Sequence, residues 1–511
     1  MFNKVLSGTL HGVEGRLIVV EADVSEGLPT FNMVGFLASE VREASDRVRT
    51  ALNNSGYHFS PKRITINLSP ADIRKEGASF DLPISIALLA SYGLIPTESI
   101  EGILFIGELS LNGDLKPVRG VLSIVDLARS CGVKKVILPY DNRFEGAIIP
   151  GIEVYGAASL KEVVEHLLDI KVIEKTDAKK SYEGKEKSYA IDFSQVKGQR
   201  SMKRATEIAV AGRHNILFMG PPGSGKSMIA KRVPTIMPEL SYEESIELTK
   251  IYSAKGMLKS EEGLISTRPF RSPHHSITAH SLIGGGKVPS PGEISLAHNG
   301  VLFLDELLEF QKNTIEMLRQ PTEEGKVTIS RINGSYSFPC DFMLVAAMNP
   351  CPCGYYPDRA KCYCTPSQIK RYMNKLSQPM LDRMDICIHV KRIPYDELYS
   401  DSVEETSAVI KERICKAMVI QRERLNVFGI SYNSEIPSQI LDDVCKLSKK
   451  ELSVRRDLFE KYNLTARGAS KIMKVARTIA DLDGSDVVCE KHLYEALSYR
   501  MIDLYNGGQN L

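Results

Sequence analysis

Three short runs of consecutive apolar residues lie in the middle of the chain, and each is followed by a glycine- and proline-rich loop or by polar residues. The runs occupy residues 216–219, 301–304 and 342–348. Uninterrupted apolar runs of this length predict strands that are buried on both faces, as in a parallel sheet covered by helices. Ligands bind beyond the carboxyl ends of the strands in such sheets, so the polar residues after the three runs are expected to share one site. The pattern therefore predicts an open α/β domain.

The pattern changes twice along the chain and divides it into three units. In residues 171–190 the apolar periodicity stops and lysines alternate with acidic residues, which is typical of a solvated linker. After about residue 393 apolar residues recur at spacings of three and four, which predicts a helical domain. The predicted boundaries are an N-terminal domain at 1–170, a linker at 171–190, an α/β core at 191–392 and a helical domain at 393–511.

The 511-residue chain has a formal net charge of +2, 43% apolar residues and 25% charged residues, which are ordinary values for a soluble globular protein. No stretch approaches the roughly 18 to 20 uncharged apolar residues that a membrane-spanning helix needs, and the N-terminus lacks the apolar segment of a secretory signal. These features predict a cytoplasmic protein. Because the net charge is small, any surface for a polyanion such as DNA must be a local basic patch.

The strongest motif follows the first apolar run and matches the pattern G-x-x-x-x-G-K-[ST] at every fixed position. Its residues are Gly220, Pro221, Pro222, Gly223, Ser224, Gly225, Lys226 and Ser227. The glycines allow backbone N–H groups to surround phosphates, and the helix predicted at 228–232 adds positive potential at its N-terminus. Lys226 is expected to reach the β- and γ-phosphates and Ser227 to ligate Mg²⁺. The motif predicts a nucleotide site for ATP and Mg²⁺.

The other two apolar runs supply polar residues with the chemistry of ATP hydrolysis. Asp305 and Glu306 follow the second run, where Asp305 is expected to hold Mg²⁺ and Glu306 to deprotonate the attacking water. Asn349 follows the third run, and a neutral amide there is suited to align that water or to contact the γ-phosphate. Arg383, in the sequence Leu-Asp-Arg, fits two roles: neutralising transition-state charge in a neighbouring subunit's site, or forming a surface ion pair.

Several longer motifs give the chain a family resemblance. Five features together resemble an AAA+ ATPase. They are DFSQVKGQ at 192–199, the strand that ends in Asp305 and Glu306, the sensor Asn349, the Leu-Asp-Arg segment, and Thr-Ala-Arg at 465–467. Three longer phrases narrow the resemblance to the YifB/ComM family of magnesium-chelatase-like proteins. They are PFRSPHH, GGGKVPSPGEISLAHNGVLFLDE and NPCPCG. The resemblance covers essentially the whole chain.

The resemblance implies a fold, an assembly and an activity. The fold is an AAA+ P-loop α/β core followed by an all-helical lid, and the assembly is a homo-oligomer, a hexameric ring. Arg383 is implied as an arginine finger that acts in trans, and Arg467 as the sensor 2 residue of the lid. The implied activity is that of an ATP-driven helicase on single-stranded or branched DNA, which promotes branch migration in homologous recombination and natural transformation. A chelatase-type motor that remodels a protein partner is the alternative.

Two segments of the core carry basic residues suited to contact DNA without reading its sequence. The insert around 268–287 is rich in glycine and basic residues, and residues 327–338 predict a hairpin around an Asn-Gly turn, before the sensor strand. In the ring ATPases that the chain resembles, both elements face the central pore. The candidate phosphate contacts are Arg271, Lys287, Lys326 and Arg331. Packing or salt bridges between subunits are equally compatible with these residues. For the adjacent His274 and His275 we expect a structural or DNA-contacting role rather than a metal site.

Four of the ten cysteines form two closely spaced pairs shortly after Asn349. They are Cys351, Cys353, Cys362 and Cys364. Four thiolates are suited to enclose Zn²⁺ tetrahedrally and to fix a loop beside Asn349. The C-x-C spacing is not the common C-x-x-C type of zinc sites, so reduced buried thiols are slightly favoured over zinc.

The N-terminal domain resembles the α+β proteolytic domain of Lon. The resemblance lies in RKEGASFD at 74–81, GELSLNG at 107–113 and VKKVILP at 133–139, with Ser79 where Lon carries its nucleophile. A serine nucleophile needs an adjacent base, which in Lon is a lysine. The corresponding stretch here, 120–126, contains no lysine. We therefore expect a Lon-like fold without peptidase activity, and an ATP-dependent protease is the least favoured function.

Overall fold

A computed structural model describes residues 1–177, 189–259, 263–286, 288–331, 334–399 and 403–500. Within these ranges the chain forms an N-terminal domain of helices and a mixed sheet, a central domain on a parallel sheet, and a C-terminal helical domain. The mixed α/β fold class expected from the sequence is thus confirmed. Most of the predicted linker, residues 178–188, lies outside the described residues.

A seven-stranded sheet forms the centre of the N-terminal domain. In spatial order its strands are Thr30–Val34, Arg63–Ser69, Glu14–Ser25, Phe2–His11, Ile103–Phe105, Lys135–Pro139 and Glu153–Ala157. The long hairpin of Phe2–His11 and Glu14–Ser25 is antiparallel, whereas Phe2–His11 and the three strands beyond it run parallel. Burial along Glu14–Ser25 largely alternates, so a register shift of one residue would expose the buried apolar side chains.

Helices pack on this sheet and bury two apolar cores. Their bounds are Ser39–Arg42, Ala44–Asn54, Asp81–Ser91, Val121–Ser130, Arg143–Gly146 and Leu160–Leu167. Asp81–Ser91 is buried along its whole length, which explains why its sequence is apolar on every side. The domain continues past the predicted boundary at residue 170, because Ile173 packs in its core and Lys175 pairs with Tyr155 of the last strand.

The central domain contains a five-stranded sheet in which all paired strands are parallel. Their spatial order is Phe270–Arg271, Val301–Leu304, Met343–Met348, Ile216–Met219 and Ile386–His389. The three strands predicted from the apolar runs are therefore neighbours, and Met343–Met348 in the middle is buried at every position. Burial on both faces is the reason for the uninterrupted apolar sequence.

Helices and a separate hairpin surround the central sheet. The helices are Arg200–Gly212, Lys226–Ile236, Tyr242–Lys255, Ala279–Ile283, Glu293–Leu296, Lys312–Glu316, Pro321–Glu324, Pro366–Met373, Gln378–Leu381 and Tyr395–Leu398. The predicted hairpin is confirmed, since Lys326–Arg331 pairs antiparallel with Gly334–Pro339. Its residues alternate between buried and exposed positions, so one face packs on the domain and the other faces solvent.

The C-terminal domain is helical throughout its described part, as predicted. Its α-helices are Ser407–Leu425, Leu441–Cys445, Lys449–Lys461, Ala466–Leu482 and Glu490–Ser498. Arg424 Nη2 lies 2.7 Å from Asp481 Oδ2, and Arg477 Nη2 lies 2.9 Å from the other oxygen of that buried carboxylate. Loss of either arginine would leave this buried charge only partly compensated. The Arg424 pair joins helix Ser407–Leu425 to helix Ala466–Leu482, whereas Arg477 and Asp481 lie on the same helix. None of the helices described in any domain has both the length and the apolar character needed to cross a membrane.

The N-terminal domain contacts the central domain at two places. On helix Tyr242–Lys255, Lys250 Nζ lies 2.6 Å from Asp126 Oδ2 of the N-terminal domain. At the hairpin, the rings of His11 and Tyr336 stack with their centroids 4.4 Å apart. The N-terminal domain therefore touches the hairpin, which carries Lys326 and Arg331, and helix Tyr242–Lys255, which precedes the insert around 268–287.

Candidate nucleotide-binding site

The parallel register brings the carboxyl ends of three strands to one edge of the central sheet. Met343–Met348 is hydrogen-bonded on one side to Ile216–Met219 and on the other to Val301–Leu304, and all three run in the same direction. The phosphate-binding loop, the acidic pair and the sensor amide that follow these strands therefore lie together. The three apolar runs predicted this arrangement.

Lys226 begins helix Lys226–Ile236, whose N-cap Gly225 has a φ of +87°, a conformation that favours glycine. Lys226 Nζ donates to the carbonyl oxygens of Gly220 at 2.7 Å and Pro221 at 2.9 Å. Burial lowers the pKa of Lys226, and nearby carboxylates act in the opposite direction. A buried ammonium beside the N–H groups of a helix N-terminus is suited to bind phosphate.

A hydroxyl and a carboxylate meet at the start of the same helix. Ser227 Oγ donates to Asp305 Oδ2 at 2.6 Å. Both are hard oxygen donors of the kind that Mg²⁺ prefers, so these residues fit the predicted cation. The neighbouring Glu306 donates its backbone N–H to Asp305 Oδ1 at 3.0 Å and has a φ of +52°. Non-glycine residues in this backbone region cluster at functional sites.

Two further side chains lie beside these groups. Asn349 Oδ1 accepts a hydrogen bond from Lys226 Nζ at 3.3 Å, so the predicted sensor amide contacts the phosphate-binding lysine. His275 Nδ1 lies 3.6 Å from Glu306 Oε2. This contact was not predicted from the sequence, where a structural or DNA-contacting role is expected for His275. The histidine reaches the acidic pair because the strand before it, Phe270–Arg271, lies next to the strand that precedes Glu306.

A cleft beside the phosphate-binding loop completes the site. Besides the loop itself, its lining residues are Gln195, Val196, Lys197, Gln199, Met228, Arg392, Ile393 and Leu398. Gln199 Nε2 donates to the backbone carbonyls of Ser224 at 3.0 Å and Lys391 at 2.8 Å, which ties the segment before the sheet to both walls. None of these lining residues is assigned to the nucleotide from the sequence. The one sequence signal that points to this wall of the cleft is the motif at 192–199, which carries part of the family resemblance.

The two predicted arginines lie at the opposite edge of the sheet. Asn215, which precedes strand Ile216–Met219, donates its side-chain amide to the Arg383 carbonyl at 3.2 Å. Arg383 and Arg467 line one cleft with Asn215, and Arg383 Nη2 lies 2.6 Å from Glu323 Oε1. The four-residue strand spans about 13 Å between this edge and the phosphate-binding loop. The structure therefore does not bring the two arginines to the loop of their own chain.

The structure distinguishes between the basic residues predicted to contact DNA. Arg271 donates two hydrogen bonds to the Glu293 carboxylate, at 2.7 and 2.8 Å, so its guanidinium is engaged within the chain. This ion pair lies within the chain, whereas the salt bridge expected as the alternative for Arg271 was one between subunits. Lys326 and Arg331 occupy exposed positions of the hairpin. Lys287 lies outside the described residues.

The four cysteines after Asn349 converge on one point. Their sulfur atoms all lie within 4.8 Å of one another. Three of the four residues are buried, and the cluster packs against Tyr355, Tyr356 and Ile369. The two C-x-C segments, which are separated in sequence, therefore form one group of candidate metal ligands.

In the N-terminal domain, Ser79 is half-buried and lies two residues before the start of the buried helix Asp81–Ser91. The segment that corresponds to the lysine-bearing segment of Lon starts helix Val121–Ser130. There, the backbone N–H of Leu122 donates to the buried carboxylate of Glu145 at 2.9 Å, and burial raises the pKa of Glu145. The side chain that contacts this helix start is therefore a buried glutamate with a raised pKa.

These features define a class of protein. The site has the parts of the nucleotide site of a P-loop ATPase of the AAA+ type. These parts are a phosphate-binding loop with its lysine, a serine and an aspartate suited to Mg²⁺, a following glutamate, and a sensor amide, all on a parallel sheet. The helical domain after the sheet completes this architecture.

Comparison with known proteins narrows the class to a family. Family models match at residues 192–398 (magnesium chelatase, subunit ChlI), 20–142 (subunit ChlI of Mg-chelatase) and 404–500 (magnesium chelatase, subunit ChlI C-terminal). The uncharacterized protein YifB of Escherichia coli (strain K12) is 42% identical over 96% of both chains. The competence protein ComM of Haemophilus influenzae is 40% identical over 97% of both chains. The chain belongs to the YifB/ComM family of magnesium-chelatase-like proteins.

Membership in this AAA+ family implies ATPase activity with ATP and Mg²⁺. The expected likeness to Lon is also found, since Lon protease 2 of Bacillus subtilis is 30% identical over 173 residues, 30% of both chains. The match covers a minor part of each protein, so it supports a Lon-like region and does not extend to the whole of Lon.

Lys226→Ala is expected to weaken ATP binding about 10- to 100-fold, because it removes a charge-assisted contact worth about 1.5–3 kcal/mol. Titration with a fluorescent ATP analogue at constant Mg²⁺ measures the affinity. The matched control is Lys231→Ala, which removes an exposed lysine from the same helix and should leave the affinity unchanged. Equal affinities of the two variants would contradict a phosphate contact for Lys226.

Proposed function

We propose that this chain is an ATP-hydrolysing motor that assembles as a hexameric ring and acts on DNA, as a helicase that promotes branch migration during homologous recombination and natural transformation. The observation that carries the proposal is the position of Lys226 and Arg383 at opposite edges of one sheet, which gives each protomer two different half-sites. Similarity to the competence protein ComM along 97% of its length supports DNA as the substrate. A motor on incoming and chromosomal DNA works in the cytoplasm.

The residues at the carboxyl edge of the sheet form the first half-site. Lys226 and the N–H groups of its loop bind the phosphates of ATP. Ser227 and Asp305 hold Mg²⁺, which neutralises phosphate charge when it is bound. Glu306 accepts the proton of the attacking water, and Asn349 orients that water. The cofactor set of the proposal is ATP, Mg²⁺ and, at the four-cysteine cluster, Zn²⁺.

The arginines at the opposite edge form the second half-site, which serves the ATP of the next protomer. Arg383 is the arginine finger of this proposal, and Arg467, in the first turn of helix Ala466–Leu482, shares its cleft. Within one chain Arg383 is paired with Glu323, so ring assembly exchanges that carboxylate for a phosphate. A ring lets every protomer receive arginines from one neighbour and supply them to the other.

The exposed face of the hairpin is the proposed DNA contact. Its residues are Lys326, Thr328, Ser330, Arg331, Ser335 and Ser337. Cationic and hydroxyl side chains donate to phosphate oxygens, which are the same in every sequence, so this face binds DNA without base specificity. The opposite face of the hairpin is buried, which keeps the polar face outward.

The N-terminal domain acts in this proposal without peptidase chemistry. The segment at 120–126 has no lysine, and the side chain that accepts a hydrogen bond from its backbone is Glu145, a buried carboxyl group whose pKa is raised by burial. Lys75 lies four positions before Ser79, but its ammonium donates to the backbone carbonyl of Pro70. A serine nucleophile needs a base beside it, and these residues do not supply one to Ser79.

The double variant Lys326→Ala/Arg331→Ala is expected to bind single-stranded DNA more weakly than the wild type. Each lost phosphate contact should reduce the slope of log K against log salt concentration by about 0.7. ATP turnover is measured with and without single-stranded and four-way-junction DNA across a salt series. Wild-type turnover is expected to rise when DNA is added, and the increase should shrink steeply as salt rises, because backbone binding is electrostatic.

The control Lys416→Ala/Arg422→Ala removes the same two types of charge from exposed positions of helix Ser407–Leu425 and should leave the salt slope unchanged. If neither DNA changes wild-type turnover and a protein of porphyrin metallation raises it, the helicase assignment is wrong and the chelatase-type motor is supported. Peptide hydrolysis that Ser79→Ala abolishes would instead identify a protease.

A further inference from the structure

We propose that the four clustered cysteines bind one structural Zn²⁺ that fixes their loop against the phosphate-binding loop and the sensor amide, and so couples the metal to ATP turnover. The ligands are Cys351, Cys353, Cys362 and Cys364. The effect on turnover rests on the proposed ATPase function, whereas the metal site rests on geometry alone.

The spacing of the sulfur atoms is that of a tetrahedral zinc centre. Cys351 Sγ lies 3.4 Å from Cys353 Sγ and 3.8 Å from Cys362 Sγ, and the last two sulfurs are 3.6 Å apart. Four sulfurs placed about 2.3 Å from one tetrahedral Zn²⁺ are about 3.8 Å from each other. A disulfide would bring one pair to about 2.05 Å and leave the others further away. Three nearly equal separations instead indicate ligands around a common centre.

A backbone N–H group contacts one of the sulfur atoms. The N–H of Tyr356 donates to Cys351 Sγ at 3.4 Å. Such a donor stabilises a thiolate ligand and orients it toward a metal. The loop between the two cysteine pairs therefore orients one of the four ligands as well as joining them.

The loop between the two cysteine pairs touches the nucleotide site. Gly354 has a φ of +82°, and a Cβ atom there would lie 2.6 Å from Pro222 Cδ of the phosphate-binding loop and 3.8 Å from Asn349 Cγ. The guanidinium of Arg392, which lines the nucleotide cleft, lies 5.0 Å from the centre of the Tyr355 ring. A metal that fixes this loop consequently fixes the position of the sensor amide.

The metal site is tested first on the purified full-length protein. Elemental analysis is expected to find one zinc per chain. Titration with an organomercurial should release this zinc in step with the reaction of four thiols. Protein loaded with Co²⁺ should show the visible absorption bands of a tetrahedral four-thiolate site. A reduced chain that takes up neither metal, or cysteines found paired as disulfides, would overturn the proposal.

The coupling is tested with the variant Cys362→Ser/Cys364→Ser, which should lose zinc and lower the ATP turnover number about 10-fold. Its affinity for ATP should stay close to that of the wild type, because Lys226 is intact. Cys131→Ser, an exposed cysteine of the N-terminal domain, is the control and should change neither quantity. Organomercurial removal and restoration of zinc in the wild type repeats the measurement without a substitution, in case the variant fails to fold.

The outcomes separate this proposal from the proposed function. Unchanged turnover after zinc is removed would overturn the coupling. A wild-type protein that binds zinc but does not hydrolyse ATP would refute the ATPase function and leave the metal site standing.

Discussion

Arg383→Ala is expected to lower the ATP turnover number about 10³-fold, because an arginine finger stabilises the charge that develops on the transferred phosphoryl group. The affinity for ATP should change little, since Arg383 lies at the edge of the sheet opposite to the phosphate-binding loop. Steady-state turnover of the assembled protein and titration with an ATP analogue measure the two quantities separately.

Mixing of variants distinguishes a finger in trans from a structural arginine. In a ring of equal parts Arg383→Ala and Lys226→Ala, about a quarter of the interfaces combine an intact loop with an intact finger, so about a quarter of the wild-type turnover should return. Neither variant alone has such an interface. Failure to recover any activity, with both variants assembled in the same rings, would refute action in trans.

Glu323→Gln controls for the loss of the ion pair within the chain. It removes the carboxylate that lies 2.6 Å from Arg383 but keeps the arginine. The variant should retain turnover close to the wild type if the role of Arg383 lies in the neighbouring site. If Glu323→Gln impairs turnover as strongly as Arg383→Ala, the pair itself is the important feature and the finger assignment is wrong.

Glu306→Gln is expected to bind ATP normally and to hydrolyse it about 10²-fold more slowly, or slower still, because glutamine cannot accept the proton of the attacking water. The substitution keeps the size of the side chain, and Lys226, Ser227 and Asp305 remain in place to bind the nucleotide. Single-turnover hydrolysis and equilibrium titration should therefore show a trapped ATP complex.

The matched control for this prediction is Glu309→Gln. Glu309 ends the short helix Leu307–Glu309 that begins after Glu306, and its carboxylate lies 3.7 Å from Lys375. Loss of this partly exposed pair should have a small effect. Normal turnover in Glu306→Gln would show that another group accepts the proton, and His275, whose ring nitrogen lies 3.6 Å from Glu306, would be the first to examine.

Much of the nucleotide site is readable from sequence because its parts are local. The loop from Gly220 to Ser227 is one contiguous motif whose glycines and helix start bind phosphate wherever they occur. The acids and the amide each follow an apolar run, and parallel strands deliver such residues to one edge. The mixture of parallel and antiparallel strands in the seven-stranded sheet was less accessible from the sequence. The C-terminal bound of that domain was also less accessible, since Ile173 and Lys175 join the domain through contacts with residues earlier in the chain.

The roles of the basic residues and of the histidine pair depended on long-range contacts. Arg271 has Glu293 as its partner, and His275 approaches Glu306 only because their strands are neighbours. No spacing in the sequence indicates either contact. Likewise, the motif that contains Arg383 is compatible with a finger or an ion pair, and within one chain it is in fact paired with Glu323.

The sequence by itself determined that this chain carries a phosphate-binding motif with Lys226, that its core is a parallel sheet and that its C-terminal domain is helical, because loops, apolar runs and helical periodicity are local properties of the chain. Only the tertiary structure decided that Arg383 and Arg467 share a cleft away from the loop of their own chain, and that the two C-x-C segments form one group. These relations depend on strand order and loop closure, which place residues together irrespective of their distance in sequence.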